Sequence, residues 1–557
     1  MIKKPFSILS KVEFGSVNGF IIIALCLLTS NIFASPINTK SLEFQSSELP
    51  IVIIDTEGQT ISSSARIIAN MGIVNNGTGN LNIVTDPYNE YNGRIRIEIR
   101  GHSSKGFDQK SYRFETQDAA GNNNNVSLMG MPKDNDWVLY GPYCDKSLIR
   151  NALVYNLAGE INTYAPRTRF CELVLNNGYQ GVYLLIEKIK EDNNRVNITK
   201  LKPEDINEPE ISGGYMFKKE LSSDKGDNVI SLNSGLNLSV IEPKPEEILP
   251  AQTAWIKNYL NSFETVLYGN DAAYTDFLDV QSLADNFLMV EFFKNVDGLR
   301  ASTYFYKDRG SKIICGPVWD YNLSLGNADY NYGWTAERWY HVDEKSWPFY
   351  WFDELLSRDS FWNQIESRWA ELRKDIIEYE HINAKIDSLT AILEDAQVRH
   401  FDQWDILGKY TWPNPGFPES GQWGFPSPTS GGPTSWQGEI EYVRNFVRDR
   451  LKWMDRQLGY YPDQVSQGMA DSDFGIRAFP NPCSAETNIL LNYAHSGLVR
   501  LKIYSMDGQL LKVLQKESEQ AGEFRLKLET RDFQNGMYIL TIQSGSSSKT
   551  LKLIIQK

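Results

Sequence analysis

Alternating apolar and polar residues predict strands in the first part of the chain. Gly93–Arg100 (GRIRIEIR) alternates strictly, as in a half-buried strand, and Lys110–Glu115 (KSYRFE) repeats the pattern. Arg169–Leu175 and Gly181–Lys188 are two further apolar runs, and the Asn177-Gly178 pair between them predicts a hairpin turn. This part of the chain therefore contains a β-sheet.

Apolar residues at helical spacing predict helices on both sides of the middle of the chain. Asp145–Gly159 has this spacing, with its first residue as N-cap, and Asp353–Arg373 and His381–Ala396 have it again. Gly438–Leu458 is amphipathic. Trp412–Trp436 is rich in Pro, Gly and Trp, which predicts a long irregular covering loop.

The central stretch predicts a hairpin with one acidic residue near an end of each strand. Asp297 precedes the strand Ser302–Tyr306, and Asp320 follows the strand Ile313–Val318. Because an antiparallel pair brings the start of one strand beside the end of the other, the two carboxylates can meet. They could hold a divalent cation with phosphate oxygens, or be an ordinary turn cap and a solvated loop residue.

The last part of the chain changes to short strands with turns, which predicts a small β-sandwich. A polar stretch, Tyr460–Asp473, separates it from the preceding helix and is typical of a linker. The predicted strands are Asn488–Asn492, Val499–Ser505, Gln509–Lys516, Glu523–Leu528, Gly536–Gln543 and Ser548–Ile555.

Length and charge limit the possible functions. The 557 residues suffice for two or more domains. The net charge of −14 argues against nucleic-acid binding over a broad basic face. A nucleotide site would need a local positive patch or a metal ion to offset this charge.

The N-terminus predicts an export signal. Three lysines in the first eleven residues precede the apolar run Gly19–Leu28, and Ser30–Ser35 offers a cleavage site after Ala34. Residues 1–34 are therefore predicted to be a signal peptide, and an uncleaved anchor is the alternative. No other stretch approaches membrane length, so no membrane span is expected in the mature chain.

The cysteines do not predict a disulfide-built scaffold. Cys26 lies in the predicted signal, and Cys144, Cys171, Cys315 and Cys483 remain without a CxxC pair or metal-ligand spacing. One disulfide bridge and buried free thiols are both compatible with this pattern.

Three long segments resemble the CotH kinase family, which is named for a spore-coat protein and has an atypical protein-kinase-like fold. They are Ser127–Leu153, Ala165–Val196 and Lys294–Asn327, the last containing KNVDG and VWDYN. The resemblance covers about Ser41 to Gln457. It implies an α+β fold with a kinase-like domain, predicted at residues 41–459, that binds ATP and Mg²⁺ and modifies a protein substrate.

The resemblance implies six nucleotide-binding residues. Arg100, Ser103 and Ser104 belong to the loop RGHSS, and Lys110 belongs to the next strand. Glu187 belongs to the GxYxLxE segment and Lys218 to the GGY…K segment. A Gly/Ser loop followed by an inward Lys could also be a plain hairpin.

The same resemblance implies a catalytic base and a metal site. Asp297 matches the acid of the NxD motif, the expected base, and Asp320 matches the first acid of WDxD, an expected Mg²⁺ ligand. Two positions depart from the pattern, because Ser302 stands where Asn is expected and Asn322 stands where the second acid is expected. Both can still ligate Mg²⁺ through oxygen, but without charge.

The C-terminal region, Phe474–Lys557, resembles a type IX secretion system sorting domain. The similar segments are Ala478–Pro482 (AFPNP), Tyr504–Gly508 (YSMDG), Gly536–Leu540 (GMYIL) and the final strand. The resemblance implies the type IX secretion machinery as a partner and export through the periplasm, followed by release or anchoring on the cell surface. A plain adhesive sandwich is the alternative.

Three functions are compatible with the sequence. The first is an exported kinase that phosphorylates Ser or Thr of surface or secreted proteins. The second is a catalytically weak pseudokinase that acts as a structural or assembly protein of the surface, which Ser302 and Asn322 favour. The third is a glycan-binding surface protein, supported only by the aromatic content.

Overall fold

The computed structural model describes residues 44–221, 228–344, 346–421, 431–460, 475–479, 481–493, 497–518, 522–544 and 547–557. The predicted signal peptide, Cys26 and all of the predicted linker except its first residue lie outside these ranges. The mixture of helices and strands agrees with the predicted α+β class.

Seven strands of the N-terminal part close into a barrel. Its strand order is β2-β3-β5-β6-β7-β9-β8, and parallel pairing of β2 with β8 closes it. Apolar side chains such as Ile97, Phe114 and Trp137 fill its interior. The strands of this part are β1 Ser46–Ser47, β2 Ile51–Asp55, β3 Ile67–Val74, β4 Asn82–Ile83, β5 Tyr91–Arg100, β6 Ser111–Gln117, β7 Asp136–Tyr140, β8 Thr168–Leu175 and β9 Gly178–Glu187.

The hairpin of β8 and β9 is present, but its turn is one residue earlier than predicted. Asn176 and Asn177 have φ angles of 50° and 65°, and Gly178 is already the first residue of β9. Asn tolerates this left-handed conformation because its short side chain can bond locally, so two Asn residues form the turn without glycine.

A second sheet, fully antiparallel, carries the predicted central hairpin. Its order is β11-β12-β10-β13-β14, and Phe305 of β13 pairs with Cys315 of β14. The last strand ends before the predicted Val318, because Gly316 has a φ of 133° and Pro317 has no N–H to donate. The strands are β10 Tyr215–Lys219, β11 Val229–Ser231, β12 Asn237–Glu242, β13 Thr303–Lys307 and β14 Ile313–Cys315.

Helices pack around this sheet and form the largest apolar core of the described residues. The predicted helix Asp353–Arg373 is divided in two around Ser357, and His381–Ala396 spans parts of two helices. The helices are α1 Arg150–Ile161, α2 Pro250–Tyr268, α3 Val280–Phe293, α4 Tyr340–Asp343, α5 Trp351–Leu356, α6 Asp359–Leu372, α7 Tyr379–Leu393, α8 Ala396–Gln403 and α9 Trp436–Gln457.

Helix α1 begins four residues later than predicted, because its N-cap is Ile149 and not Asp145. The carboxylate of Asp145 accepts hydrogen bonds from the N–H groups of Ser147 and Arg150, at 3.2 and 3.0 Å. Asp145 therefore satisfies a donor of the first helical turn from the preceding loop, while Ile149 occupies the N-cap position.

The C-terminal region forms two sheets that share one apolar core, as expected for a small sandwich. One strand, β15, precedes the six that the sequence predicts. The sheets have the orders β15-β16-β19 and β18-β17-β20-β21. The strands are β15 Gly475–Phe479, β16 Glu486–Tyr493, β17 Gly497–Ser505, β18 Leu510–Ser518, β19 Gly522–Glu529, β20 Gly536–Ser544 and β21 Ser547–Ile555.

The sandwich packs on the rest of the chain through the turn after β17. The carbonyl of Asp507 accepts a hydrogen bond from Asn156 of α1 at 3.0 Å, and the carbonyl of Gly508 accepts one from Lys385 of α7 at 3.1 Å. The Asp507 carboxylate pairs with Arg169 of β8 at 3.1 Å. The sorting-like motif YSMDG therefore forms part of an internal contact.

Two further expectations concern cysteines and membrane spans. Cys144, Cys171, Cys315 and Cys483 are buried and unpaired, which selects free thiols over a bridge among the described residues. Within the same ranges, every helix is too short or too polar to cross a bilayer.

Candidate functional site

A cavity of about 350 Å³ lies between the barrel and the second sheet. Eight of the ten predicted site residues line it, drawn from the loop after β5, the end of β10 and the two segments flanking the central hairpin. They are Arg100, Ser103, Ser104, Lys218, Asp297, Ser302, Asp320 and Asn322. A cavity of this size is within the range of small-molecule sites.

The other two predicted residues do not line the cavity. The ammonium of Lys110 donates to the carbonyl of Lys105 at 3.0 Å and to that of Phe107, so it supports the Gly/Ser loop from within. Glu187 is fully buried at the end of β9 and accepts hydrogen bonds from Arg167 and from the hydroxyl of Tyr164. Their nucleotide-binding roles remain predictions.

The Gly/Ser loop requires glycine at its first position. Gly101 has a φ of 109°, and a Cβ atom there would lie 1.8 Å from the Oγ of Ser104. Only glycine combines this backbone angle with such a close approach. The chain can therefore turn at once into the short 3₁₀ segment Ser103–Gly106 at the rim of the cavity.

Arg100 brings a positive charge without a direct counter-ion into the cavity. Its guanidinium lies 5.3 Å from the ring centroid of Trp319, and no carboxylate of the described residues forms an ion pair with it. Arg113, on the neighbouring strand, is instead paired with Glu98. Arg100 is therefore available to an anionic ligand.

Lys218 provides a second cation from the end of β10. Its ammonium lies 2.5 Å from a carboxylate oxygen of Glu220 and 5.9 Å from the ring centroid of Tyr304. Burial lowers the pKa of Lys218, but its interactions with Tyr304 and with the carboxylate of Glu220 outweigh this effect and the pKa is raised. Lys218 consequently keeps its positive charge at neutral pH.

The backbone around Asp320 is held by side chains of helix α1. Asp320 has a φ of 64°, and its N–H donates to the hydroxyl of Tyr155 at 2.9 Å. The N–H of Tyr321 donates to the side chain of Asn151 at 2.8 Å. These two bonds hold a left-handed residue at the cavity, where strain of this kind often marks function.

A buried arginine fixes the continuation of the same segment. Arg150, which is 1% exposed, donates to the carboxylate of Asp145 at 2.6 Å. It also donates to the carbonyls of Ser324 at 3.0 Å and Leu325 at 3.3 Å. The guanidinium thus joins the start of α1 to the segment that follows Asp320.

The carboxylate of Asp320 has neither a hydrogen bond nor an ion pair within the part of the chain that the structure describes. Burial raises its pKa to about 6; the charge of Arg100 lowers it, and those of Asp297 and Glu220 raise it. A carboxylate that is partly buried without a partner loses some of its hydration, which is costly. The site therefore suits a cation or a donor supplied by a ligand.

Asp297 reaches the cavity from the end of α3. The helix stops at Lys294, which has a left-handed φ of 49°. The carboxylate of Asp297 is paired with Arg300 and accepts a longer hydrogen bond, 3.4 Å, from the hydroxyl of Tyr330. Asp297 and Asp320 line one cavity, which is the arrangement predicted from the hairpin.

Several residues of the cavity were not predicted. Glu220 bonds Lys218 and accepts a 3.4 Å hydrogen bond from the N–H of Ser302. It could have been found, because it lies two residues after the candidate Lys218, and residues two apart in an extended chain point to the same side. Trp412 also lines the cavity and stacks on Tyr330, with centroids 6.3 Å apart, so the described start of the Pro/Gly/Trp-rich loop covers the site.

A protein-family profile described as "CotH kinase protein" matches residues 97–454, more than half of the chain. The chain belongs to the CotH kinase family. A second profile, "Secretion system C-terminal sorting domain", matches residues 477–556 of this CotH-family chain. Together the two profiles support the family and the sorting domain inferred from the motifs.

The remaining comparisons add little. No curated protein matches the chain. Among solved structures, dimeric latent PorU from Porphyromonas gingivalis is matched at 18% identity and a TM-score of 0.14, over 16% of this chain and 10% of that one. An overlap of this size does not bear on the fold.

The sorting domain indicates where the CotH-family chain is delivered. A C-terminal domain of this type is read by the type IX secretion machinery, which makes that machinery a partner of the chain. The protein is therefore exported to the cell surface or the medium.

We expect Arg150→Met to destabilise the protein by about 3–5 kcal/mol, because it leaves the buried Asp145 carboxylate without its cation. The measurement is the free energy of unfolding in urea. Arg448→Met is the matched control, since Arg448 pairs with its exposed neighbour Asp449 and should cost at most about 1 kcal/mol. Equal losses in the two variants would contradict the role given to Arg150.

Proposed function

We propose that this chain is an exported CotH-type protein kinase with an atypical kinase-like fold. It transfers the γ-phosphate of ATP to Ser or Thr hydroxyls of surface or secreted proteins. One observation carries the proposal. A single cavity combines a Gly/Ser loop and two cations, Arg100 and Lys218, with the two acids Asp297 and Asp320. Phosphoryl transfer uses such groups to position the phosphates, offset their charge and orient the attacking hydroxyl.

The residues present fit a nucleotide with Mg²⁺, although the described residues contain no cluster of three or more His, Cys, Asp or Glu that could hold a metal alone. Asp320 has an unpartnered carboxylate, and Mg²⁺ in kinases is held by one or two carboxylates together with phosphate oxygens. Asp320 would hold the ion with Asn322 and Ser302 as neutral oxygen donors. Once bound, the ion neutralises charge on the phosphates.

The remaining residues bind, orient and accept a proton. Arg100 and Lys218 contact phosphate oxygens, and Ser103 and Ser104 close the Gly/Ser loop over them. Asp297 accepts the proton of the incoming hydroxyl, for which it must lie within hydrogen-bond reach of that oxygen. Lys110 acts on the phosphates indirectly, because its ammonium supports the loop.

A pseudokinase is the second candidate, and a specific contact favours it. The carboxylate of Asp297 is already engaged by Arg300 and Tyr330, which reduces its availability as a base. Asn322 and Ser302 add no charge where the family pattern has other metal ligands. In this case the cavity binds nucleotide to stabilise the fold, and the protein has a structural role at the surface.

We expect Asp320→Asn to weaken binding of ATP in the presence of Mg²⁺ by at least about tenfold, since it removes the carboxylate that faces the cation. Isothermal titration calorimetry of the full chain with ATP and Mg²⁺ measures this change. Asp449→Asn, an acid-to-amide change on the exposed surface, is the control. Unchanged affinity of Asp320→Asn would contradict the metal role.

We expect Asp297→Asn to retain ATP binding and to lose about 10²–10⁴-fold in transfer rate, because a base acts only in the chemical step. The measurement is transfer of labelled phosphate to the protein itself and to a generic protein acceptor. Binding without transfer in the unmodified chain would favour the pseudokinase. No binding with any divalent metal would end the kinase hypothesis for this protein.

Deleting the sorting domain should leave the CotH-family region folded but prevent its delivery to the surface. A chain that ends at Tyr460 keeps the CotH-family region and loses the C-terminal strands, so we expect it to fold and to remain in the periplasm. Fractionation of the native host, with immunoblots against the protein and a periplasmic marker, measures its location. Normal surface delivery of the truncated chain would refute the sorting role.

A further inference from the structure

The cavity is one negative charge short of the family pattern. Asn322 replaces the second acid of WDxD, and its amide donates to the sulfur of Cys144 at 3.5 Å. Asp297 cannot supply the missing charge freely, because Arg300 is paired with it. If Asp320 acted alone, the cation of a bound nucleotide would meet a single carboxylate of the motif.

Glu220 brings another carboxylate into the same cavity. It follows β10, two residues after Lys218, and its side chain is 13% exposed. One oxygen contacts Lys218 at 2.5 Å, and the other accepts the N–H of Ser302 at 3.4 Å. Ser302 has a left-handed φ of 49°, so Glu220 stabilises a strained residue that is itself a predicted metal ligand.

An independent observation indicates that the cavity is built for a ligand. The hydroxyl of Tyr140, a residue that is 6% exposed, lines the cavity and has no hydrogen-bond partner in the described ranges. Asp320 and Cys144 are among its electrostatic neighbours. A buried hydroxyl without a partner costs free energy, which a ligand oxygen or a bound water would recover.

We propose that Glu220 replaces the acid missing at Asn322 and forms, with Asp320, the pair of carboxylates that holds the divalent cation of a bound nucleoside triphosphate. This inference rests on the proposed nucleotide binding. An ammonium has three donors, so Lys218 can keep its contact with Glu220 while it binds a phosphate oxygen. Tyr140 donates to an oxygen of the same ligand.

A simpler role for Glu220 is to orient Lys218, and the two roles predict different effects of removing its charge. A carboxylate beside phosphates repels metal-free ATP and attracts the cation of the Mg²⁺ complex. If Glu220 holds the cation, Glu220→Gln weakens binding with Mg²⁺ but not without it. If Glu220 only orients Lys218, both affinities fall together.

The test is calorimetric titration of ATP into the full chain, once with Mg²⁺ and once with EDTA. We expect Glu220→Gln to weaken binding about tenfold with Mg²⁺ and to leave it equal or tighter with EDTA. Asn322→Asp, which removes no carboxylate, should tighten binding with Mg²⁺ and weaken it with EDTA. The double variant should return to within about threefold of the parent with Mg²⁺. Unfolding midpoints verify that each variant is folded.

Each other result overturns the inference in a recognisable way. If Glu220→Gln binds ATP with the parent's affinity under both conditions, Glu220 does not hold the cation, and the proposed nucleotide binding still stands. Equal weakening under both conditions assigns Glu220 to Lys218 alone. Failure of the parent to bind ATP under either condition overturns the proposed function together with this inference. If Glu220→Gln does not fold, lack of any Mg²⁺-dependent gain in Asn322→Asp overturns it instead.

Discussion

The buried guanidinium of Arg150 is the interaction on which the site depends. Three of its nitrogens are bonded to groups from two distant segments, Asp145 at the start of α1 and the carbonyls of Ser324 and Leu325. Taking such a charge out of water is expensive, and only several well-placed acceptors offset the cost. The segment after Asp320 is therefore fixed to the helix and cannot shift without unpairing a buried charge.

Helix α1 extends this constraint from the cavity to the sorting domain. Tyr155 and Asn151 hold the backbone at Asp320 and Tyr321. The residue after Tyr155, Asn156, bonds the carbonyl of Asp507, and Glu160, one turn further on, pairs with Lys385 of α7. One helix thus contacts the candidate catalytic segment with one face and the sorting domain with another. The described chain belongs to a single compact unit, Glu43–Lys557, as these contacts require.

Local pattern was enough to predict some of the site. The hairpin acids could be paired from strand order alone, because antiparallel geometry dictates which ends meet. Glu220 could also have been found, since it lies two residues after Lys218 and residues two apart in an extended chain point to the same side. The side-chain directions of Lys110 and Glu187 could not be predicted in this way, because they depend on how the barrel closes. The parallel contact of β2 with β8 that closes it joins segments about 120 residues apart. Helix α3 was not predicted because it is buried almost all round. Its sequence therefore lacks the helical alternation between an apolar and a polar face.

Delivery out of the cell conflicts with the proposed use of ATP. The state of the cysteine thiols is a second feature that depends on the compartment. ATP is abundant inside the cell, whereas the sorting domain directs the chain out of it. Cys144, Cys171 and Cys315 are buried and form no disulfide, and burial raises the pKa of each thiol, which suppresses the reactive thiolate. The described part of the CotH-family region therefore contains no disulfide bridge. The proposed reaction needs ATP wherever the folded chain is, and the sorting domain takes the chain away from the cellular ATP pool.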